Sequence, residues 1–518
     1  MAKKRIIPAA FLAGSLLIAT PMEAEMPQQI DYSVSLNMNA STSKSFAPYM
    51  IGSWNSGRNI ASRAAYLDLS AWKTMRLDHR FSWGAGVEVT GGYGSPTTYD
   101  RWDSGTSMWT RHSVNQAAAR IIQLYGEIKY RGVFLNVGMK EQPSLIVDED
   151  YSAGDLVRST NACPIPGATV GFVDFQDIPF TNGWVQIEGQ IMYGKMADSR
   201  YTRDRYNYYN YIIAQGIYYT YKRCYFRTNP RQPLSVTVGM QAAGMFGGNT
   251  STYKDGKFVG RDNRGFHFRD IWDMFFPSDG SGEGFYKGNS LGSWDFNARY
   301  NFCNGNRLEA YFEWPWEDGS GIGRRNGWDG LWGLEYEFAN RGPVNKIVVE
   351  YLDFTNQSGP MHFAPGDNPG TTITTEATGG DNYYNNDFYG PYSNFGMAIG
   401  TPFLKSPVYN TDGFWHFAHN RARGFHFGIG GNILPELTYK ALVSYQKAWG
   451  TGRIPQAKAL HDTSARIGAV WTPTIRALKG WSLDADFAFD SGSLRGDNFG
   501  FALAVRYSGS LTFKKTNK

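Results

Sequence analysis

Four stretches of the chain concentrate side chains suited to holding a sugar. "TTYDRWDSGTSMW" (97–109) carries Tyr99, Trp102, Asp103 and Trp109. "RYTRDRYNYYNY" (200–211) sets five tyrosines among asparagines and arginines, including Arg203, Arg205 and Tyr208. "WPWEDGSG" (314–321) puts Trp316 and Asp318 at a strand end, with Arg324 just beyond. "DNYYNNDFYGPYSN" (381–394) holds Tyr383, Asn385, Asp387 and Tyr389. A flat aromatic face packs against ring C–H groups, while amides and carboxylates bond hydroxyls. Arg203, Arg205, Arg324 and Arg325 would draw a polyanionic polymer or contact lipopolysaccharide. Each of these residues also has an ordinary alternative, as an interface-belt aromatic or as loop-on-loop packing.

Other motifs carry less. "GNSLG" (288–292) spells G-x-S-x-G around Ser290, but that motif needs a strand before it and a helix after it, with Asp and His later. Here a loop precedes and a strand follows, so the match reads as chance. "HFAH" (416–419) lacks the glutamate of a zinc protease helix. "DED" (148–150) lacks the glycine and closing glutamate of a calcium loop and reads as a solvated charge run. Three cysteines, Cys163, Cys224 and Cys303, show no metal spacing and allow one disulfide at most. No catalytic residue, metal or cofactor is expected.

The elements that must carry these stretches show in "NFGFALAVRYSGSLTF" (498–513), where every second residue is apolar, from Phe499 to Phe513, and the residues between are small or polar. A soluble sheet with one face on a core alternates in the same way, but fifteen residues is long for a soluble strand. The alternation also suits a tilted barrel strand with lipid on one side and a wet lumen on the other, and the rest of the chain decides. The pattern recurs at 30–40, 436–446 and 480–490, where Trp481, Leu483, Phe487 and Phe489 alternate with Asp484, Asp486 and Asp490. Weaker versions at 62–72, 81–90, 120–130, 132–139, 183–193, 215–227, 233–241, 292–303, 306–314, 329–338, 345–354, 394–400, 423–430 and 463–472 bring the count to eighteen. Segments 394–400 and 423–430 run in the same direction, so a strand is missed or invented around there, and the 140–182 stretch is expected to hide one further strand near 168–175. Mean hydropathy is −0.42 and no apolar run reaches 18 residues, which excludes helical spans and leaves a barrel open. The 16% aromatic content matches the girdles that barrels place at lipid interfaces.

Residues 1–24 read as an export signal: Lys3, Lys4 and Arg5, then "IIPAAFLAGSLLIAT", then a small-residue site ending at Ala24. Its loss takes the formal charge from +5 to +3, near neutrality, which argues against nucleic acid as a partner. Residues 25–518 then form one domain. Tight connections at 131–132, 229–233, 303–306 and 340–345 mark one end, and long loops at 91–119, 140–182, 194–214, 242–291 and 355–393 the other. Barrels keep short turns in the periplasm and long loops outside. "FHFRDIWDMFF" (266–276) has helical spacing and is expected as a short amphipathic helix on the rim or in the lumen.

The loop and strand signals also occur in a familiar order: "FVDFQDIPFTNGWVQIEGQIMYGKM", "YYTYKRCYFRT", "FRDIWDMFF", "GNSLGSWDF", "YFEWPWEDGSGIGRRNGWDGLWGLEYEF", "EYLDFTNQSG", "GMAIGTPF" and "HNRARGFHFGIG". As a set, over roughly residues 115–450, they resemble the Wzi capsule-assembly family in its Bacteroidetes-type branch. "YKRCYFR" and "VGMQAAGMFGG" depart from that pattern. The resemblance implies an all-β, transmembrane antiparallel barrel of about eighteen strands, with a helical element closing the periplasmic mouth. It also implies a lectin-like role in the outer membrane, holding exported capsular polysaccharide at the surface. The alternatives are an uptake channel for oligosaccharides or other nutrients, and, behind it, a barrel hydrolase.

Overall fold

The computed structural model describes residues 29–116, 119–276, 288–317, 319–360, 362–363 and 377–513. Residues 1–24, read above as an export signal, and Asp318 lie outside the described residues. Eighteen strands follow one another around a barrel: Gln29–Ser41, Arg63–Lys73, Phe81–Gly94, Arg120–Tyr130, Val133–Met139, Gly167–Phe172 with its extension Gln176–Asp177, Val185–Lys195, Tyr218–Thr228, Leu234–Phe246, Gly288–Asn301, Arg307–Trp316, Gly330–Glu337, Lys346–Asp353, Ala422–Leu434, Leu437–Gly450, Pro455–Trp471, Trp481–Gly492 and Asn498–Thr512. Each pairs antiparallel with the next, and the last closes on the first, from Gln29↔Thr512 to Ser41↔Gly500. Closure leaves no unpaired edge, as an apolar solvent demands.

Cross-strand register sorts the two faces. One row runs Ile187–Phe226–Val238–Phe296–Phe312–Trp332–Tyr351–Phe425–Tyr445 across nine strands. Phe226, Val238, Phe296, Trp332, Phe425 and Tyr445 in it are exposed on the barrel exterior. A second row runs Tyr311–Gly333–Glu350–His426–Ser444–Ser464–Asp490 on the inside. All of it except Gly333 is buried. Apolar outside and polar inside inverts a soluble protein, and only lipid makes that stable. Gly333 is required in its row: a Cβ there would stand 2.0 Å from Cε2 of Tyr311, whose ring lies across it. The Tyr311 hydroxyl thereby reaches Glu350 and donates to Oε1 at 2.6 Å.

Short connections, such as Arg131-Gly132 and 435–436, collect at the end that also holds Gln29 and Thr512. The long ones, 95–119, 140–166, 196–217, 247–287 and 354–421, collect at the other. By the usual barrel orientation the turn end is periplasmic and the loop end external.

Seventeen of the eighteen alternating segments fall on strands. The exception is 394–400, where Ser393–Asn394 and Met397–Ala398 make a buried hairpin inside the lumen. Its loss as a barrel strand removes the conflict of direction with 423–430, since Lys346–Asp353 pairs directly with Ala422–Leu434. The strand hidden in 140–182 is Gly167–Phe172, near the expected 168–175. The helices α1 (Tyr49–Gly52), α2 (Ser199–Arg205), α3 (Phe268–Phe275) and α4 (Gly319–Ile322) all sit in loop-end connections. The helix expected to close the periplasmic mouth is not found among the described residues. The turn end carries one 3-10 turn, Arg476–Leu478, with no buried residue. Closure comes from the opposite end.

Candidate functional site

An eighteen-strand barrel leaves a wide lumen unless something fills it. Here residues 140–166 and 377–421 fold inward. Leu156, Val157, Tyr383, Tyr384, Tyr392, Phe403 and Phe417 pack with the wall residues Tyr219, Tyr221, Tyr311, Leu331 and Leu352 into one buried cluster. Wall carboxylates hold the plug by its backbone: Ala153 N–H donates to Glu350 Oε2 at 2.7 Å and Leu156 N–H to Glu313 Oε2 at 2.8 Å. The two inward segments also bind each other. Tyr392 donates its hydroxyl to Val157 O at 2.7 Å, and Asn161 Nδ2 donates to Ala398 O at 3.0 Å. On the far side of the lumen, Trp54 N–H donates to Asn161 Oδ1 at 3.3 Å, and Tyr49 N–H donates to Asp490 Oδ2 at 2.8 Å. Buried backbone needs such partners, and their number fixes the plug.

The DED run borders this plug: Asp150 is exposed, as the solvated reading expects, while Asp148 and Glu149 are half-buried, which corrects it there. Asp148 pairs with Lys346 at 2.6 Å and Asp150 with Lys440 at 2.9 Å, both on the wall. Glu149 turns away, accepting the Thr160 N–H at 2.6 Å and the Ser144 N–H at 3.0 Å. Burial pushes its carboxyl up to about 7.

Above the plug the outer loops build a crown from the hairpin Thr97–Asp103/Met108–Val114 and the sheet Tyr211–Gln215/Gly248–Lys254/Lys257–Gly265. Trp102 and Trp109 are direct cross-strand partners, their rings 5.5 Å apart at 70°. Tyr209 closes the triangle at 5.0 Å from Trp102 and 5.1 Å from Trp109. The Arg101 guanidinium lies 4.6 Å from the Tyr208 ring, which meets Tyr253 at 5.4 Å. Tyr208 has φ +58°, a conformation its surroundings must hold in place. Asp255-Gly256, at φ +49° and +72°, make the tight turn of the second hairpin. The Trp102 indole lies against Gly256, where a Cβ would stand 1.9 Å from its Nε1. Trp109 remains 49% exposed and Met108 60%, so the triangle presents a rigid aromatic surface to solvent. Asp103 stands beside it, its carboxyl held below the usual range by the Gly105 N–H.

The other expected site residues are placed differently. Tyr99 is buried and donates to Val408 O at 2.9 Å, tying crown to plug. Arg205 binds Gln116 Oε1 at 2.8 Å and stacks 4.6 Å from Tyr201, while Arg203 is exposed and paired with Asp204 at 3.1 Å. Trp316 is buried over Gly292. Arg324 is exposed, 5.9 Å from Trp314, which stacks on Trp328 at 5.4 Å in the exterior belt. Tyr383 donates to Asp329 Oδ2 at 3.1 Å within the plug, and burial pushes the Asp329 carboxyl up to about 6. Asn385 exchanges two hydrogen bonds with the backbone of Phe417, at 2.9 and 3.0 Å. Asp387 pairs with Arg453 at the surface, and the buried Tyr389 hydroxyl accepts from Arg264 at 3.1 Å. Sequence reading thus finds Trp102, Trp109 and Tyr208 for the crown but misses Arg101 and Tyr209. Ser290 sits within a barrel strand opposite Gly244, not on a strand-to-helix elbow. His416 is buried in a loop.

Below the plug lies a cavity of about 690 Å³ that sequence reading did not single out. Asn37, Asp68, Glu88, Arg466, Asp486 and Arg506 line it, with Trp54, Tyr66, Trp72 and Tyr125 between them. Arg466 pairs with Asp486 at 2.8 Å, and Arg58 with Glu141 at 2.8 Å. Arg506 and Ser508 are exposed at its lower edge, so this vestibule faces the turn end. The polar half of the alternation marks its wall; only the fold shows which part of that wall stays uncovered. Among the described residues no group of three or more His, Cys, Asp or Glu is placed to hold a metal.

No protein-family model matches the chain, and no curated protein matches it. Solved structures do. Wzi, an Escherichia coli outer-membrane protein involved in group 1 capsule assembly and a carbohydrate-binding β-barrel, is 12% identical with a TM-score of 0.52, over 93% of this chain and 84% of that one. Acinetobacter baumannii OccAB2 is 10% identical with a TM-score of 0.48, over 93% of this chain and 98% of that one. Pseudomonas aeruginosa OprD is 9% identical with a TM-score of 0.44, over 94% and 96%. At these identities the likeness establishes the architecture alone: the chain has the fold of outer-membrane β-barrels.

Proposed function

We propose that this barrel is a non-enzymatic, lectin-like protein of the outer membrane that holds exported capsular polysaccharide at the cell surface. The observation that carries the reading is the coupling of a filled lumen to a rigid aromatic crown, joined by bonds such as Tyr99 to Val408 O. A filled lumen suits retention better than passage. The triangle of Trp102, Trp109 and Tyr209 offers aromatic faces of the kind sugar rings pack against. Asp103 and the exposed Arg203 add the polar and cationic groups that sugar hydroxyls and uronic acids need. The Wzi likeness agrees with this reading.

The second reading is uptake of oligosaccharides or other nutrients. The polar vestibule favours it, because amides, carboxylates and aromatic rings line a cavity of about 690 Å³. Deleting the gene and restoring either the native chain or a Trp102→Ala/Trp109→Ala chain separates the two. Retention predicts that the deletion strain sheds capsule into the medium and that the double variant, though folded, fails to restore it. A normal, cell-bound capsule in the deletion strain overturns the proposal.

A further inference from the structure

The segment around α3 lies on the outside of the barrel. Outward register in this sector runs Tyr193–Thr220–Gly244–Ser290, on the same face as Ile187 and Phe226. This row breaks the apolar belt with a hydroxyl, a glycine and a serine, and Lys222 adds a cation to the same outer face two residues along. The α3 segment covers them. Tyr193 donates its hydroxyl to Ile271 O at 2.6 Å. Met274 is buried, and a Cβ on Gly244 would stand 2.5 Å from its Cε, so glycine makes room for the helix. Lys222 donates to Met274 O at 3.0 Å and to Phe275 O, which satisfies the carbonyls at the helix C-terminus with a cation. The Phe266 ring lies 4.7 Å from that of the outward Tyr218, tilted by 34°.

The side of α3 turned away from the barrel is not polar. Phe268, Trp272 and Phe276 fall on one stripe at four-residue spacing and are 86%, 66% and 57% exposed. Trp272 also touches Phe275 and Phe276 at 6.1 and 5.0 Å. Phe268 meets Phe266 at 5.8 Å and Phe266 meets the outward Tyr218, so the stripe runs on to the lipid-facing wall. Beside it Arg269 and Asp273 pair with each other at 3.5 Å, and Asp270 is buried. Short aromatic helices of this kind lie in the plane of a membrane interface.

We infer that α3 is an interfacial anchor: it seats Phe268, Trp272 and Phe276 in the outer-leaflet lipid and replaces the polar exterior of the strands beneath it with an aromatic one. The occupant of this face is lipid, because the surface it continues is the barrel's own lipid belt. One consequence is that the hairpin Gly248–Lys254/Lys257–Gly265, which leads directly into α3 and packs against Trp102, is tied to the membrane through it.

Spin labels test this. In a Cys224→Ser/Cys303→Ser chain, Phe268→Cys and Trp272→Cys carry nitroxides in vesicles of phosphatidylethanolamine and phosphatidylglycerol. Labels at Phe427→Cys on the belt and Asp255→Cys at the exposed hairpin tip give the lipid and water references. Both substituted positions lie on the exposed stripe, so the helix keeps its barrel contacts. The inference expects labels at 268 and 272 to match the belt reference, with relaxation by oxygen several-fold stronger than by a water-soluble nickel chelate. Nickel access equal to that at 255, or protection from both reagents as under a second copy of the chain, overturns it.

Discussion

Ser152, on the inward segment, donates its hydroxyl to Oε1 of Glu350 on the barrel wall at 2.6 Å. The same carboxylate takes the Ala153 N–H at 2.7 Å and the Tyr311 hydroxyl at 2.6 Å, so one buried side chain serves three donors from two elements. A lost bond to a charged group costs about 1.5–3 kcal/mol, and each buried neutral donor left without a partner about 1–3 kcal/mol. Glu350→Ala is therefore expected to loosen the plug, speeding amide exchange across 144–160 at least tenfold while leaving strand amides protected. Glu350→Gln, which keeps one acceptor oxygen, should fall between. Unchanged exchange in Glu350→Ala would mean that the plug is held elsewhere.

The aromatic triangle makes the second prediction. Trp109→Ala removes its most exposed ring without touching the plug, and should weaken binding of purified capsular polysaccharide about tenfold, near 1.4 kcal/mol. Trp102→Ala should cost at least as much, because it also leaves Gly256 without its packing partner. Tyr383→Phe, buried in the plug, should leave affinity unchanged. Equal losses at all three positions would place the ligand elsewhere.

His416 supplies a pH test. Its ring is buried, 3.9 Å from Tyr211, and neither nitrogen has a hydrogen-bond partner among the described residues. Burial pushes it down to about 3. The unfolded chain takes a proton near pH 6.5 while the folded chain does not, so stability is complete above that pH and declines as pH falls toward 3. His416→Phe removes this loss. Its advantage over the native chain in denaturant unfolding should widen between pH 8 and pH 5 by about 2 kcal/mol. A gap independent of pH contradicts the assignment.

Gly333 tests the inner wall. Gly333→Ala forces the Tyr311 ring off its seat and away from Glu350, at about 1–3 kcal/mol. Gly126→Ala, on a strand with nothing within 4 Å of the added carbon, is the control and should be near neutral. Equal melting temperatures for the two variants would show that the ring moves freely.

Much of this architecture is written locally in the chain. A period of two along ten residues needs no tertiary context, so Phe499–Phe513 and Trp481–Asp490 declare both faces before folding. The plug is not written that way. "SNFGMAIG" has strand-like composition, but its partners are Ser159, Asn161 and Ser406, and the lumen around it replaces a sheet neighbour. The crown is half legible. Trp102 and Trp109 lie seven residues apart and announce an aromatic pair, but Tyr209 reaches them from a separate loop. Tyr383 and Tyr389 share the tyrosine-asparagine composition of a sugar-binding loop and are buried instead, because satisfying backbone inside a polar lumen calls for the same side chains as satisfying sugar hydroxyls.

Single-channel recording in planar bilayers bears most directly on the claim that the wall carboxylates and two inward segments close this barrel. The native protein, inserted at densities confirmed by immunodetection, is expected to give no steady current. Glu350→Ala is expected to give brief openings. A large, constant ohmic conductance from the native chain would contradict the account and make the vestibule the mouth of a pore.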